Sequence, residues 1–481
     1  MFYIKKMKKA IILYICIEMI FSITKDDIPD FDRYYKPSEF KNMDMFSESA
    51  KYSWTRFRQS EHFFVFWEPG FGSDPNARTV PDNLRVDVDD LIKKAEKFYE
   101  TYVTKDNFSI VGKGISYLDK YKLEIYLLYT PDWVATGSGY DNVIGALWVN
   151  PSTCKPVGST IAHEIGHSFQ YQVYCDQILR GETDAWAFKS GFRYGYEGSN
   201  GGCGLWEQTA QWQSYQIYPD EMFTSWNFVE WTNHHHRHFE HEMFRYASYW
   251  LHLYWEEKHG SEAIGTIWQE SRYPDDAIQT YMRVYNGNNY QKQREELFDY
   301  AMKLATFDLD RIRSYTNQYV DKYYTTFYEN EGYYQIAYSK CPGATGFNVI
   351  QIKVPSQGGK ISVEFIGLAP GSPLAPKDPG EWRTVIDKVG GTVRKYNDVN
   401  VGNVGWRYGF VSLNKDGSRT YSETFSEPNG VASFNVPTNC GKLFMVVQGS
   451  PDKYLQQPWD DNELTDAQFP YKLKFTNTGL K

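Results

Sequence analysis

Hydrophobic and polar positions change their period several times along this chain, and each change marks a different kind of element. Residues 62–68, HFFVFWE, form a nearly unbroken apolar run of strand length, and the turn-rich PGFGSDPN follows. Residues 87–102, DVDDLIKKAEKFYETY, place apolar side chains at helical spacing behind an acidic first turn, where the helix dipole favours carboxylates. The run VDVDD also invites a calcium loop, but it lacks the glycine and distal glutamate such a loop needs, so a helix start is predicted. Residues 121–129 (YKLEIYLLY) and 144–149 (IGALWV) read as further strands. A helix is predicted over residues 158–174, with Ile161, Ile165 and Phe169 on a core-facing stripe. From residue 206 to about 319 the period stays helical. Near residue 334 it changes to alternation, in NVIQIKV, KISVEFIGL, RYGFVSL, KLFMVVQ and YKLKF, with Gly, Pro and Asn turns between them. That is the pattern of a small all-β sandwich. No internal repeat of fixed period interrupts this order.

The ends of the chain follow different rules. Residues 1–22 join a lysine-rich start (Lys5, Lys6, Lys8, Lys9) to an apolar run over 10–22. The run is too short to span a membrane comfortably and suits a secretory signal. A mature protein outside the cytoplasm is therefore expected, secreted, periplasmic or held at the cell surface, with no integral membrane segment after signal removal. Residues 23–60 are charged and irregular and read as a leading arm. The expected units are 1–22, 23–60, 61–334 and 335–481. In an oxidising compartment, cysteines pair, and Cys341 and Cys440 bracket the β-rich region, where a disulfide would clip it shut. Cys154, Cys175 and Cys203 flank the predicted 158–174 helix.

Composition narrows the partners. The 481 residues carry a formal charge of −9, which argues against nucleic-acid binding, since phosphate contacts need a basic face. Aromatic residues make up 17%, with 15 Trp and 39 Tyr, enough for wet binding surfaces as well as cores. Trp382, Trp406 and Trp459 are candidate surface contacts of the β domain, although core packing is the favoured reading. The acidic WDDNELTD over 459–466 reads as a solvated loop, with calcium as the other option.

The chemistry concentrates in TIAHEIGHSFQY. On a helix, His163 and His167 of this H-E-x-x-H lie one turn apart on one face and can offer two imidazoles to one ion. Glu164 sits beside them as a general base for a water activated by Zn2+. Gly166 costs about 1 kcal/mol against Ala inside a helix, which a close approach of another backbone or of substrate would explain. A catalytic zinc needs a third protein ligand. Forty residues on lies Trp206-Glu207-Gln208-Thr209-Ala210-Gln211-Trp212. Over roughly residues 60–260 the chain resembles the gluzincin-type (HExxH…E) zinc metallopeptidases, in which a downstream helix gives a glutamate ligand followed by a small residue. Glu207 and Ala210 match that pattern. Glu182, Asp184 and Glu197 remain competing ligands. The resemblance also extends to secreted bacterial proteins with a C-terminal β domain.

The resemblance implies an α+β fold: a zincin-like catalytic domain, with a small β-sheet subdomain and a helical subdomain, followed by the β-sandwich as an accessory domain. It implies a secreted, monomeric endopeptidase acting on extracellular proteins or glycoproteins. In zincins an edge strand pairs with extended substrate, and 144–149 fits that strand, with an ordinary core strand as the equal alternative. The histidine-rich HHHRHFEH (234–241) reads as a polar helix start with partly exposed imidazoles. It could alternatively hold a second metal, or His238, His241 or the nearby Tyr246 could stabilise the oxyanion of the transition state. The competing function is a non-catalytic glycan- or glycoprotein-binding protein on a relict zincin scaffold, against which the retained Glu164 argues.

Overall fold

The computed structural model describes residues 23–182, 192, 204–356, 358–381, 391–458 and 462–481. The fold is α+β, with three sheets and eight α-helices among the described residues. The first sheet holds β1 (Phe57–Gln59), β2 (Phe63–Trp67), β3 (Leu123–Leu127), β4 (Ala135–Tyr140) and β5 (Ile144–Val149), in the order β1-β2-β3-β5-β4. The β2/β3 and β3/β5 pairs are parallel, whereas β4 runs antiparallel to β5.

All five residues of β2 are buried because both faces of the sheet are covered. Phe63 faces α1 (Val88–Tyr99), meeting Tyr99 at 6.2 Å between ring centroids. Phe64 and Phe66 face the N-terminal segment, where Tyr34 meets them edge-on at 5.7 and 5.4 Å. Residues 23–60 are thus no loose arm. Apart from 3-10 turns they are irregular until β1, yet Tyr34, Phe40, Tyr52 and Trp54 are buried as a layer over the sheet. Asp141 ties this layer down, accepting from the Ser38 backbone at 2.6 Å and the Tyr35 hydroxyl at 2.9 Å. Asp87 caps α1 by accepting from Asp90 N at 3.0 Å, which is the helix-start role of its acidic run.

This sheet decides between the two readings of residues 144–149 in favour of the core strand. The strand over 144–149 is β5, and it lies inside the sheet; the edge is β4, ATGSGY. A stretch so rich in Gly and Ser shows no alternation, so nothing in its pattern announces a strand. The glycines are there because α2 (Ser159–Leu179) lies directly on the strand. A Cβ at Gly137 would fall 1.8 Å from the Glu164 carbonyl oxygen, and one at Gly139 would fall 2.2 Å from the Tyr171 ring.

The helical part comprises α3 (Gly204–Ile217), α4 (Trp226–His234), α5 (Trp250–His259), α6 (Ala263–Gln269), α7 (Ala277–Tyr285) and α8 (Tyr290–Leu304). The C-terminal strands are β6 (Phe327–Asn330), β7 (Tyr333–Ile336), β8 (Phe347–Ile352), β9 (Gly359–Gly367), β10 (Trp406–Asn414), β11 (Arg419–Tyr421), β12 (Asn429–Val436), β13 (Cys440–Gly449) and β14 (Tyr471–Thr476). They form two sheets, β11-β10-β13-β8 and β12-β9-β14-β7-β6, packed face to face, with Phe365 stacked on Tyr408 at 4.1 Å across the interior. Every residue of β10 is buried because its sheet is covered twice. Tyr408 and Phe410 turn into the sandwich, while Val411 and Leu413 join the core that runs through the helices. On the neighbouring β8, Phe347 meets Tyr300 of α8 at 5.6 Å.

One sequence expectation fails in this region. Cys341 and Cys440 are buried free thiols, as are Cys154 and Cys175, so no disulfide clips the β domain; packing as small apolar groups keeps them inside. Trp406 follows the core-packing reading favoured for it: it is 3% exposed, with its indole N–H donating to Phe469 O at 3.0 Å. Cys203, Trp382 and Trp459 lie outside the described residues. No helix among the described residues is long and apolar enough to cross a membrane.

Candidate metal centre and cleft

Helix α2 carries HEIGH, and α3 crosses it where side chains are smallest. A Cβ on Gly166 would lie 2.6 Å from Gln213 Oε1 and 3.4 Å from Ala210 Cα, so Gly166 and Ala210 let the two helices approach. That approach delivers Glu207. Its Oε2 lies 3.1 Å from His163 Nε2 and 3.2 Å from His167 Nε2, and the two imidazole nitrogens are 3.1 Å apart. The three donor atoms converge on one point, and all three residues are buried.

The electrostatics of this trio are those of a place for a cation. Burial alone would push the Glu207 carboxyl up, yet His163 and His167 hold it well below the usual carboxylate range. Burial likewise disfavours a charged His167, but Glu207, then Glu164 and Gln170, outweigh it and raise the imidazole to about 9. The tautomer is also set. His167 Nδ1 lies 2.9 Å from Gln170 Oε1, which can only accept, so Nδ1 carries a proton, and Nε2, whose own proton faces Glu207, is the nitrogen that a cation would take by displacing that proton. Gln170 is fixed in turn, its amide donating to Trp206 O at 3.0 Å. Two imidazole nitrogens and one carboxylate oxygen are the donor set of a catalytic zinc with an open position, so these residues fit that ion.

Glu164 turns from the trio towards the edge strand, where its Oε2 accepts from Gly137 N at 2.8 Å. All four residues line a cleft of about 810 Å³ between β4 and the helical part. Tyr246 lines it too, its ring 6.0 Å from that of His163. Trp133 and Trp226 also line the cleft and are 66% and 62% exposed, far outside the usual burial of such side chains.

Other residues singled out from the sequence go elsewhere. Glu182 pairs with Arg180 at 2.8 Å beyond the end of α2, whereas Asp184 and Glu197 lie outside the described residues. The 234–241 stretch is not a helix start: α4 ends at His234, and the chain then runs beneath the β-sandwich. His235, His236, His238 and His241 are buried rather than partly exposed, because backbone from the sandwich covers them, with Gly343 N donating to His236 O at 2.8 Å. His238 and His241 do not line the cleft; they meet Asp466 at 3.4 and 3.2 Å. By distance these three also form a possible metal trio. Their hydrogen bonds differ from those of the first one. Met243 N donates to His241 Nδ1 at 3.0 Å, which places the ring proton on Nε2, towards Asp466. Arg237, paired with Glu463, also stands 3.1 Å from that Nε2. The arrangement is a buried charge network between the helical part and the sandwich.

Sequence reasoning missed Gly137, Gln170 and the two rim tryptophans. Gln170 had a readable signal, its i+3 spacing from His167, whereas Gly137 had none because its strand was not recognised.

Among solved structures, a xylan-binding domain from CBM 22, formally an x6b domain, matches at a TM-score of 0.17 and 8% identity, covering 33% of this chain and 80% of that one. No curated protein matches the chain. A family model does match, over residues 28–481, and the chain accordingly belongs to DUF6055, a family of unknown function.

Proposed function

We propose that this protein is a zinc-dependent endopeptidase of the gluzincin type, with His163, His167 and Glu207 holding the metal and Glu164 acting as general base. The observation that carries the proposal is the convergence of three donor atoms within 3.2 Å of one another, in a cleft that also holds Glu164. Zinc bound there would supply Lewis-acid polarisation of a carbonyl and a lowered pKa for water. The remaining work falls to the chain. The Gly137 N–H fixes the Glu164 carboxylate, which takes a proton from the attacking water and passes it to the leaving amine. The Tyr246 side chain is the candidate to stabilise the oxyanion. Among the described residues β4 is the edge of its sheet, which suits an extended polypeptide, since main-chain groups there can pair with one more strand. The basic-then-apolar leader favours extracellular proteins or glycoproteins as substrates. The test is cleavage of a proteome-derived peptide library by zinc-loaded protein. Wild type should cut and Glu164→Gln should not; equal cutting by both would refute Glu164 as base.

A further inference from the structure

The cleft has a second polar centre that the chemistry above does not use. Glu221 lines the same cavity, half-buried, and no lysine, arginine or hydrogen-bond donor among the described residues pairs with its carboxylate. Its carboxylate belongs to a residue that is neither buried nor fully exposed, so a cationic group entering the cavity can meet it. None of the cleft-lining residues is a lysine or an arginine. Around Glu221 the wall is built from oxygen atoms and one aromatic face. The Tyr215 hydroxyl lies 3.0 Å from Ser225 Oγ and accepts from Asn227 Nδ2 at 3.2 Å, and all three residues line the cavity. Next to Ser225 stands Trp226, 62% exposed at the start of α4. Its ring lies 6.1 Å from Tyr246, which in turn lies 6.0 Å from His163. Trp226 is therefore two ring contacts from the metal trio, and Glu221 lines the same cavity.

Taking the peptidase reading as its basis, we infer that Glu221 and Trp226 form a subsite for a cationic lysine or arginine side chain of the substrate, which makes them specificity-determining residues. A carboxylate supplies the charge partner, the tryptophan face attracts a cation or a guanidinium plane, and the hydroxyl oxygens accept the remaining N–H groups. An apolar side chain would instead leave the Glu221 carboxylate desolvated and unpaired, so the site discriminates by penalty as well as by attraction.

The test separates this inference from the peptidase reading by measuring binding in a protein without the base. Zinc-loaded Glu164→Gln is titrated calorimetrically with acetyl-Ala-Ala-Xaa-Ala-Ala-amide, where Xaa is lysine, arginine, norleucine or glutamate. A further arm uses the norleucine peptide with a free amino terminus. The lysine and arginine peptides should bind about tenfold tighter than norleucine, and the glutamate peptide weakest. The preference should vanish in Glu164→Gln/Glu221→Gln, and Trp226→Ala in the same background should shrink it. Equal binding of lysine and norleucine, or no binding of any peptide, overturns the inference. A gain confined to the free-amine peptide overturns it as well, by moving the cation to the chain terminus. Failure of wild type to cleave any peptide would count against the peptidase reading and leave the binding result intact.

Discussion

Replacing Gly137 with alanine tests how the edge strand serves Glu164. The added Cβ would stand 1.8 Å from the Glu164 carbonyl oxygen and 2.8 Å from His167 Cβ, and neither neighbour is the free end of a flexible side chain. An ordinary contact needs about 3.5 Å, so β4 and α2 must part by roughly 1.7 Å. Because α2 is fixed between the sheet and α3, the edge strand is the part that yields. The Gly137 N–H bond to the Glu164 carboxylate, 2.8 Å long, would then be lost. A hydrogen bond to a charged group is worth about 1.5–3 kcal/mol, and overpacking of this kind costs a further ~1–3 kcal/mol of stability. If the first term is expressed in the transition state, kcat/KM falls by roughly 10- to 100-fold. If β4 alone gives way, zinc content should not change, because the proposed ligands come from α2 and α3. The assay is steady-state cleavage of a quenched fluorescent peptide, with metal measured on the same sample. Wild-type kcat/KM in Gly137→Ala would refute the reasoning, and loss of zinc would show that the strand supports the ligands instead.

Three other outcomes follow from the same contacts. Gln170→Leu removes the acceptor that sets the His167 tautomer and should weaken zinc binding by about 10- to 100-fold, read by competition with a chelating dye. Asp106 is fully buried with neither carboxylate oxygen hydrogen-bonded, and burial raises its pKa well above the usual range. Its unfolded form ionises first, so its contribution to stability falls as pH rises above about 4; Asp106→Asn should raise the denaturation midpoint more at pH 7 than at pH 5. Asp466→Asn leaves His238 and His241 without their carboxylate and should cost about 1.5–3 kcal/mol, measured by chemical denaturation, with no change in bound metal.

Much of this architecture is written in local patterns. The run FFVFW reads as a strand because its side chains have no polar interruptions, and HEIGH reads as a helix with a ligand face because i and i+4 coincide on it. Glu207 was found through a motif likeness, and the contact that justifies it, Gly166 against Ala210, depends on two helices meeting forty residues apart. What escaped reading was fixed by tertiary contact. The ATGSGY strand exists because α2 needs glycine beneath it, and a stretch without apolar alternation gives no sign of that. The histidines of 234–241 look exposed in a polar run, but the sandwich that buries them starts more than eighty residues later. The N-terminal segment reads as an arm because its aromatic residues have no period, yet they cover a sheet face that its own strands leave apolar.

The central claim is that His163, His167 and Glu207 together hold one zinc ion. Elemental analysis of protein purified without chelators measures this directly, alongside Glu207→Ala prepared identically. About one zinc per chain in wild type and almost none in Glu207→Ala is the predicted result. A metal-free wild type, or undiminished zinc in the variant, would contradict it.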